Sequence, residues 1–216
     1  MRNGRKSTST HRRRGRPRKF DESEILDAIT EEFWRSGFSG TSLDALSSAT
    51  GLARPSLYAA FGDKEAMYVA SLQNFLRRIQ AATESAWDPS APLDQALTAI
   101  FDVLIDLYTT RTDAARGCLV VCTAATEAPT HENVERELVR VLAHVDASFA
   151  ALLEAARQRG ELGPDVDVDT LAAVLAGMTH SLAVRARAGE GAERLKRLAA
   201  AAVELLGIES GAADKA

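Results

Sequence analysis

The stretch that decides the fold reads Thr41-Ser42-Leu43-Asp44-Ala45-Leu46-Ser47-Ser48-Ala49-Thr50-Gly51-Leu52-Ala53-Arg54-Pro55-Ser56-Leu57-Tyr58-Ala59-Ala60-Phe61-Gly62-Asp63-Lys64-Glu65. Thr41-Ser42-Leu43-Asp44 has the shape of a capping box and opens a short helix that carries Leu43 and Leu46. Gly51 breaks that helix. Pro55 suits the first turn of a second one, which closes near Phe61-Gly62. Two short helices joined by a tight glycine turn have the dimensions of a helix-turn-helix, whose second helix enters the DNA major groove. By spacing alone, a purely structural helical hairpin fits equally well.

Working outward, helical periodicity continues in both directions. Ile25, Leu26, Ile29 and Phe33 form one stripe, ending at Gly37. After Asp63 a long helix is expected towards Trp87, then helices over 92–110, 117–127, 132–159, 168–187 and 192–206. Asp165-Val166-Asp167-Val168-Asp169 alternates like a strand but runs straight into a helical stripe. The expected fold is all-α: three short helices, then about six longer ones. The expected division is a disordered basic arm over 1–19, a DNA-binding domain over 20–66, a larger helical domain over 67–209 and a flexible tail over 210–216.

Charge is distributed unevenly. Across 216 residues the net charge is −4, yet the first 20 hold nine Lys or Arg and no acid, leaving a body of −13. Such asymmetry points to an arm that seeks a polyanion. Two cysteines exclude a disulfide scaffold and suit a reducing compartment. No apolar run forms a signal peptide or a membrane span, so a cytoplasmic protein without a membrane partner is expected.

Gly37-Phe38-Ser39-Gly40-Thr41-Ser42-Leu43-Asp44-Ala45-Leu46, followed by Ala49 to Tyr58 and by Phe61-Gly62-Asp63-Lys64-Glu65, closely resembles the DNA-binding domain of the TetR (tetracycline-repressor-like) family. The detailed resemblance covers about residues 20–75; beyond it the chain resembles the family in helix number and length, and at Gly117-Cys118-Leu119. It implies that Thr41, Tyr58 and Lys64 touch phosphates. It also implies that Arg54, Pro55, Ser56 and Ala59 form the exposed start and face of the recognition helix. Ser42 belongs with them at the helix N-terminus. Donors such as these fix register without reading sequence. Arg54 suits a guanine edge. Ala60 departs from the family's bulkier or polar residue, which leaves the reading face sparse. The bland alternative packs Tyr58 half-buried and leaves Lys64 solvated.

Within the arm, Arg14-Gly15-Arg16-Pro17-Arg18-Lys19 resembles an AT-hook, a flat segment seated in a narrow A·T minor groove. Arg14, Arg16, Arg18 and Lys19 are therefore expected on DNA, or else form a basic tail without preference. Residues 21–67 hold only Arg35, Arg54 and Lys64 against nine acids, so the arm should supply much of the favourable electrostatics.

The resemblance further implies dimerisation through the last two helices. Leu171, Val174, Leu175, Met178, Leu182, Leu195, Leu198, Ala202 and Leu205 are the candidates, although the same stripes could close a monomer core. It also implies a ligand cavity in the larger domain, with Phe101, Leu104, Ile105, Tyr108, Cys122, His144, Phe149, Met178 and Leu182 facing inward. No charged residue stands within these stripes, which favours an apolar or uncharged small-molecule effector. Cys118 and Cys122 share a helix face and read best as small buried side chains. His131 and Glu135 have metal spacing without the second His of a zincin, so His131 reads as an exposed helix start. Asp165, Asp167 and Asp169 lack the Gly and Glu of a calcium loop and suit N-capping instead. No cofactor, metal site or catalytic motif is expected.

The functional expectation is a non-enzymatic, ligand-responsive repressor that binds a near-palindromic operator as a dimer. The alternatives are a constitutive DNA-binding regulator without an effector, and a thiol or electrophile sensor using Cys118 and Cys122.

Overall fold

A computed structural model describes residues 21–86, 88, 90–110 and 116–205. Arg14, Arg16, Arg18, Lys19 and the 210–216 tail lie outside the described residues.

The first three helices pack as a small unit. In α1 (Glu22–Gly40), the Asp21 carboxylate caps the N-terminus by accepting from the Ser23 N–H at 3.0 Å, and helical geometry stops at Gly37. In α2 (Leu43–Thr50), the cap is Ser42, whose hydroxyl accepts from the Ala45 N–H at 3.1 Å. This shifts the expected capping box by one residue and leaves Asp44 free for another partner. Gly51 closes α2 in the left-handed region at φ 68°, a conformation that costs a side-chain-bearing residue about 1–2 kcal/mol. After it, α3 (Arg54–Phe61) starts with Pro55 in its first turn. Ile29, Phe33, Leu46, Leu57 and Met67 bury their side chains between these helices. Each contributes roughly 1.5–3 kcal/mol of hydrophobic stabilisation.

The helix α4 (Lys64–Glu84) is capped by Asp63 and passes through the expected domain boundary at 66/67, packing on α1 and on a long helix of the larger half. That half consists of α5 (Leu93–Thr109), a short broken segment, α7 (Glu132–Gln158), α8 (Val168–Arg187) and α9 (Ala192–Leu205). Asp167 caps α8 by accepting from the Thr170 N–H at 3.1 Å, the use expected for that acidic run. The residues described contain no strand.

The broken segment corrects the helix expected over 117–127. A π-turn spans Val120–Ala124, a single helical turn α6 spans Ala125–Glu127, and a 3₁₀ turn spans Ala128–Thr130. The Thr123 hydroxyl donates to the Leu119 carbonyl at 2.5 Å and accepts from the Tyr68 hydroxyl at 2.6 Å. The wide turn thereby turns Thr123 towards α4. Upstream, Gly117 adopts φ 61°, and an added Cβ would meet the Ala183 carbonyl, the Cys122 sulfur at 2.9 Å and the Arg187 Cβ at 3.1 Å.

Candidate nucleic-acid interface and the cavity behind it

On α3, Leu57 is buried while Arg54, Pro55, Ser56, Tyr58, Ala59 and Ala60 are exposed. The expected reading face is therefore a real surface, with Tyr58 45% exposed rather than packed. Arg54 does not project alone. Its Nε and Nη2 donate to one Asp44 carboxylate oxygen at 3.0 and 2.5 Å, so α2 holds the guanidinium at the start of α3. Asp44 also raises the Arg54 pKa above its ordinary value, first by that hydrogen bond and then by its charge.

The expected phosphate contacts divide into two groups. Ser42 is exposed at the α2 cap. Thr41 is buried, and its hydroxyl donates inward to the Gly37 carbonyl at 2.7 Å instead of facing solvent. Lys64 is half-buried, its ammonium 4.4 Å from the centre of the Phe38 ring. Burial lowers its pKa, and the nearby Glu127 carboxylate works against that shift.

Phe38 leads into the larger half. The His131 ring lies edge-on to it at 4.8 Å, so His131 stands at the start of α7 as expected but is half-buried at the junction instead of exposed. The Ser39 hydroxyl donates to Glu127 at 2.8 Å, and the Trp34 indole N–H donates to the Gly117 carbonyl at 2.8 Å. Arg116 pairs with Glu31. Residues 116–131 thus grip the DNA-binding helices at several points. Sequence reasoning missed this seam, because its polar residues read as ordinary surface positions.

The other side of the same segment walls an open-mouthed cavity of about 280 Å³ lined by α4, α5, α7 and α8. Of the expected lining residues, Leu104, Tyr108, His144 and Phe149 reach it. Phe101, Ile105 and Leu182 are buried elsewhere in the packing, and Cys122 and the half-buried Met178 do not line it. The π-turn presents Val120 and Val121 to the cavity and Thr123 to Tyr68. Gln80, Thr83, Glu84, Ser148 and His180 were not foreseen as lining, and Glu84 corrects the expectation of a wall without charge.

Cys118 also lines the cavity, as does the buried Tyr108. Burial pushes the Cys118 thiol up to about 11 and raises Cys122 as well. A reactive thiol needs the opposite shift. The Cys122 sulfur instead donates to the Ala183 carbonyl at 3.7 Å. Among the described residues, no cluster of His, Cys, Asp and Glu is placed to hold a metal ion, and no helix is long and apolar enough to cross a membrane.

The expected dimer stripe splits. Leu175, Leu182 and Leu195 are enclosed within the protomer; Leu171, Met178, Leu198 and Ala202 are half-buried; Val174 and Leu205 are exposed. The helix α8 is apolar or small on two sides, and its leucine side faces the core. The side left open carries Ala173, Val174, Gly177 and Val184.

A helix-turn-helix with an exposed recognition helix, locked to a hollow helical domain, defines a class: a helical DNA-binding regulator. Residues 25–70 match the family described as bacterial regulatory proteins, tetR family, and residues 93–202 match the tetracyclin repressor-like, C-terminal domain. The chain is 30% identical over 193 residues to the HTH-type transcriptional repressor ComR of Escherichia coli (strain K12), covering 89% of this chain and 91% of ComR. It is 25% identical over 183 residues to the HTH-type transcriptional repressor DhaR of Mycobacterium sp. (strain GP1), covering 84% and 90%. Among solved structures, it resembles a cysteine mutant of the regulator CifR complexed with 26 bp double-stranded operator DNA. There the TM-score is 0.79 and the identity 30%, over 88% of this chain and 98% of that one. Reduced E. coli NemR shares the fold at a TM-score of 0.72 and 23% identity, over 86% and 96%. The chain belongs to the TetR family of transcriptional regulators, which bind DNA and are not enzymes.

Proposed function

We propose that the protein is a homodimeric transcriptional repressor whose hold on a near-palindromic operator is released by a small molecule in the cavity. The observation that carries this reading is the two-sided position of residues 116–131. One side presents Cys118, Val120 and Val121 to the cavity, and the other binds Trp34, Ser39, Phe38 and Tyr68. A ligand that prefers one arrangement of this segment biases the position of α3 through contacts already in place. That is a population shift, and it requires differential affinity for the two states.

The repressor role is supported by ComR and DhaR, which are repressors, and DNA binding by CifR, which is complexed with operator DNA. Two subunits would place two copies of α3 about one helical turn apart on the duplex. Arg54 would read a base edge, Ser42 and Tyr58 would hold phosphates, and Lys64 would add charge at the start of α4. Arg14, Arg16, Arg18 and Lys19 would supply the arm's electrostatic share. The cavity favours this reading over a constitutive regulator with a filled core. The raised thiol pKa values disfavour a thiolate sensor.

The test is a gel-shift titration of the DNA flanking the protein's own gene with the intact protein, then a screen for small molecules that dissolve the complex. A retarded band abolished by Arg54→Ala and reversed by a cavity ligand is expected. Binding that no cavity ligand alters would favour the constitutive alternative.

A further inference from the structure

We infer that the cavity takes an uncharged, mostly apolar small molecule with one hydrogen-bonding head, and that Gln80, His144, Ser148 and His180 receive that head. This deepens the effector reading proposed above and rests on it for biological meaning, but not for the binding itself.

The cavity has an orientation. Glu65 pairs with Asn133 at 2.6 Å, Gln73 with Glu137 at 3.1 Å and Gln80 with His144 at 2.6 Å, so α4 and α7 run side by side in the same direction. The early members of this ladder lie beside the DNA-binding helices, and the late ones lie at the far end. Apolar side chains such as Phe75, Leu76 and Val141 line the near part, together with Val120 and Val121 of the π-turn. At the far end, Gln80 of α4 meets His144 of α7, the exposed Ser148 hydroxyl donates to the His144 carbonyl at 2.8 Å, and His180 comes from the middle of α8.

These groups form a polar end without a counterion for an anion. No Lys or Arg lines the cavity, and its one formal charge is the exposed Glu84. A carboxylate would lose its hydration with no lining Lys or Arg to pair with. An ammonium would also be desolvated, with no buried acid lining the site, and an unpaired buried charge is expensive. Burial holds the His180 pKa below the ordinary imidazole value despite Asp146, which suits a neutral ring that both donates and accepts. As placed, the Gln80 amide donates to His144 Nε2, leaving its carbonyl and the remaining ring nitrogens for a ligand. A hydroxyl or phenol, itself donor and acceptor, complements this set. Tyr108 and Cys118 line the cavity as well. At about 30 Å³ per water-sized group, the volume holds roughly ten non-hydrogen atoms.

The experiment titrates the full-length protein by calorimetry at neutral pH with 4-propylphenol, propylbenzene, 4-propylbenzoate and 4-propylbenzylamine. The phenol should bind tightest, about tenfold more tightly than propylbenzene, for one well-formed hydrogen bond. Gln80→Leu and His180→Leu should each narrow the ratio of phenol to propylbenzene affinity measured within the same variant, with helical content checked by circular dichroism. Tighter binding of the benzoate or the amine would overturn the inference. So would equal affinity for phenol and propylbenzene, a gap that persists in both folded variants, or no binding by any of the four. If the phenol binds as expected but the operator stays bound, the head-group assignment stands and the release reading proposed above fails.

Discussion

Arg54 and Asp44 form an exposed ion pair at the start of the proposed reading helix. Fixed by Asp44 through Nε and Nη2, the guanidinium keeps its fork oriented and part of its charge offset. Arg54→Ala should therefore weaken operator binding by about one order of magnitude per half-site and flatten preference at one base pair, measured across operator variants. Asp44→Asn should raise affinity for random DNA more than for operator, narrowing their ratio in anisotropy titrations. The exposed Arg54 was legible in the sequence, since a charged residue beside a first-turn proline has few other uses. Its partner was hidden, because Thr41 looked as good a cap as Ser42, and capping by Thr41 would have occupied Asp44 at the helix start. His180 carries a second residue-scale prediction. Its folded pKa is lowered from 6.5 by burial, so the unfolded chain binds the proton more readily. The contribution to stability is full above about pH 6.5 and is lost as pH falls below it towards the folded value. His180→Gln should flatten the acid side of a melting-temperature profile relative to the parent.

At the scale of elements, glycine turns distinguish local from tertiary constraint. Gly51 has a positive φ and nothing within 4 Å of its missing Cβ, so Gly51→Ala should cost only about 1 kcal/mol. Gly117 adds a collision with the Ala183 carbonyl, which cannot move without shifting α8, so Gly117→Ala should cost about 3 kcal/mol or more. Chemical denaturation of the two variants checks the difference. Helix positions came through in the sequence because caps and apolar spacing are local. The face that each helix buries did not. On α8, leucines, valines and alanines surround the axis, and only its partners decide that Leu175 and Leu182 turn inward while Val174 and Val184 stay open. The π-turn was invisible for the same reason: the Thr123 bond to Tyr68 joins residues 55 apart. Likewise no local signal marks Gln80 or His180 as lining, because separate helices bring them to one cavity.

For the whole molecule, assembly and charge dominate. Combining Val174→Glu with Val184→Glu should yield a folded monomer with weak operator binding, since the change spares the protomer core. Light scattering checks the mass. The first 20 residues carry all the excess positive charge, with nine cations before a body of −13. Removing residues 2–19 should lower the slope of log affinity against log salt by about 0.9 for each phosphate that the arm neutralises. If Arg16 and its neighbours enter the minor groove, preference for A·T-rich flanks should vanish with them.

In the proposed complex, two copies of α3 read one operator, with Arg54 as the reading side chain. Its most direct test is to select binding sites for the intact protein from a random duplex library and footprint the winner. Two inverted half-sites with centres about 10 bp apart, two protomers per duplex, and loss of the selected preference with Arg54→Ala are expected. A single unrepeated site bound by one protomer, or a preference that survives Arg54→Ala intact, would contradict it.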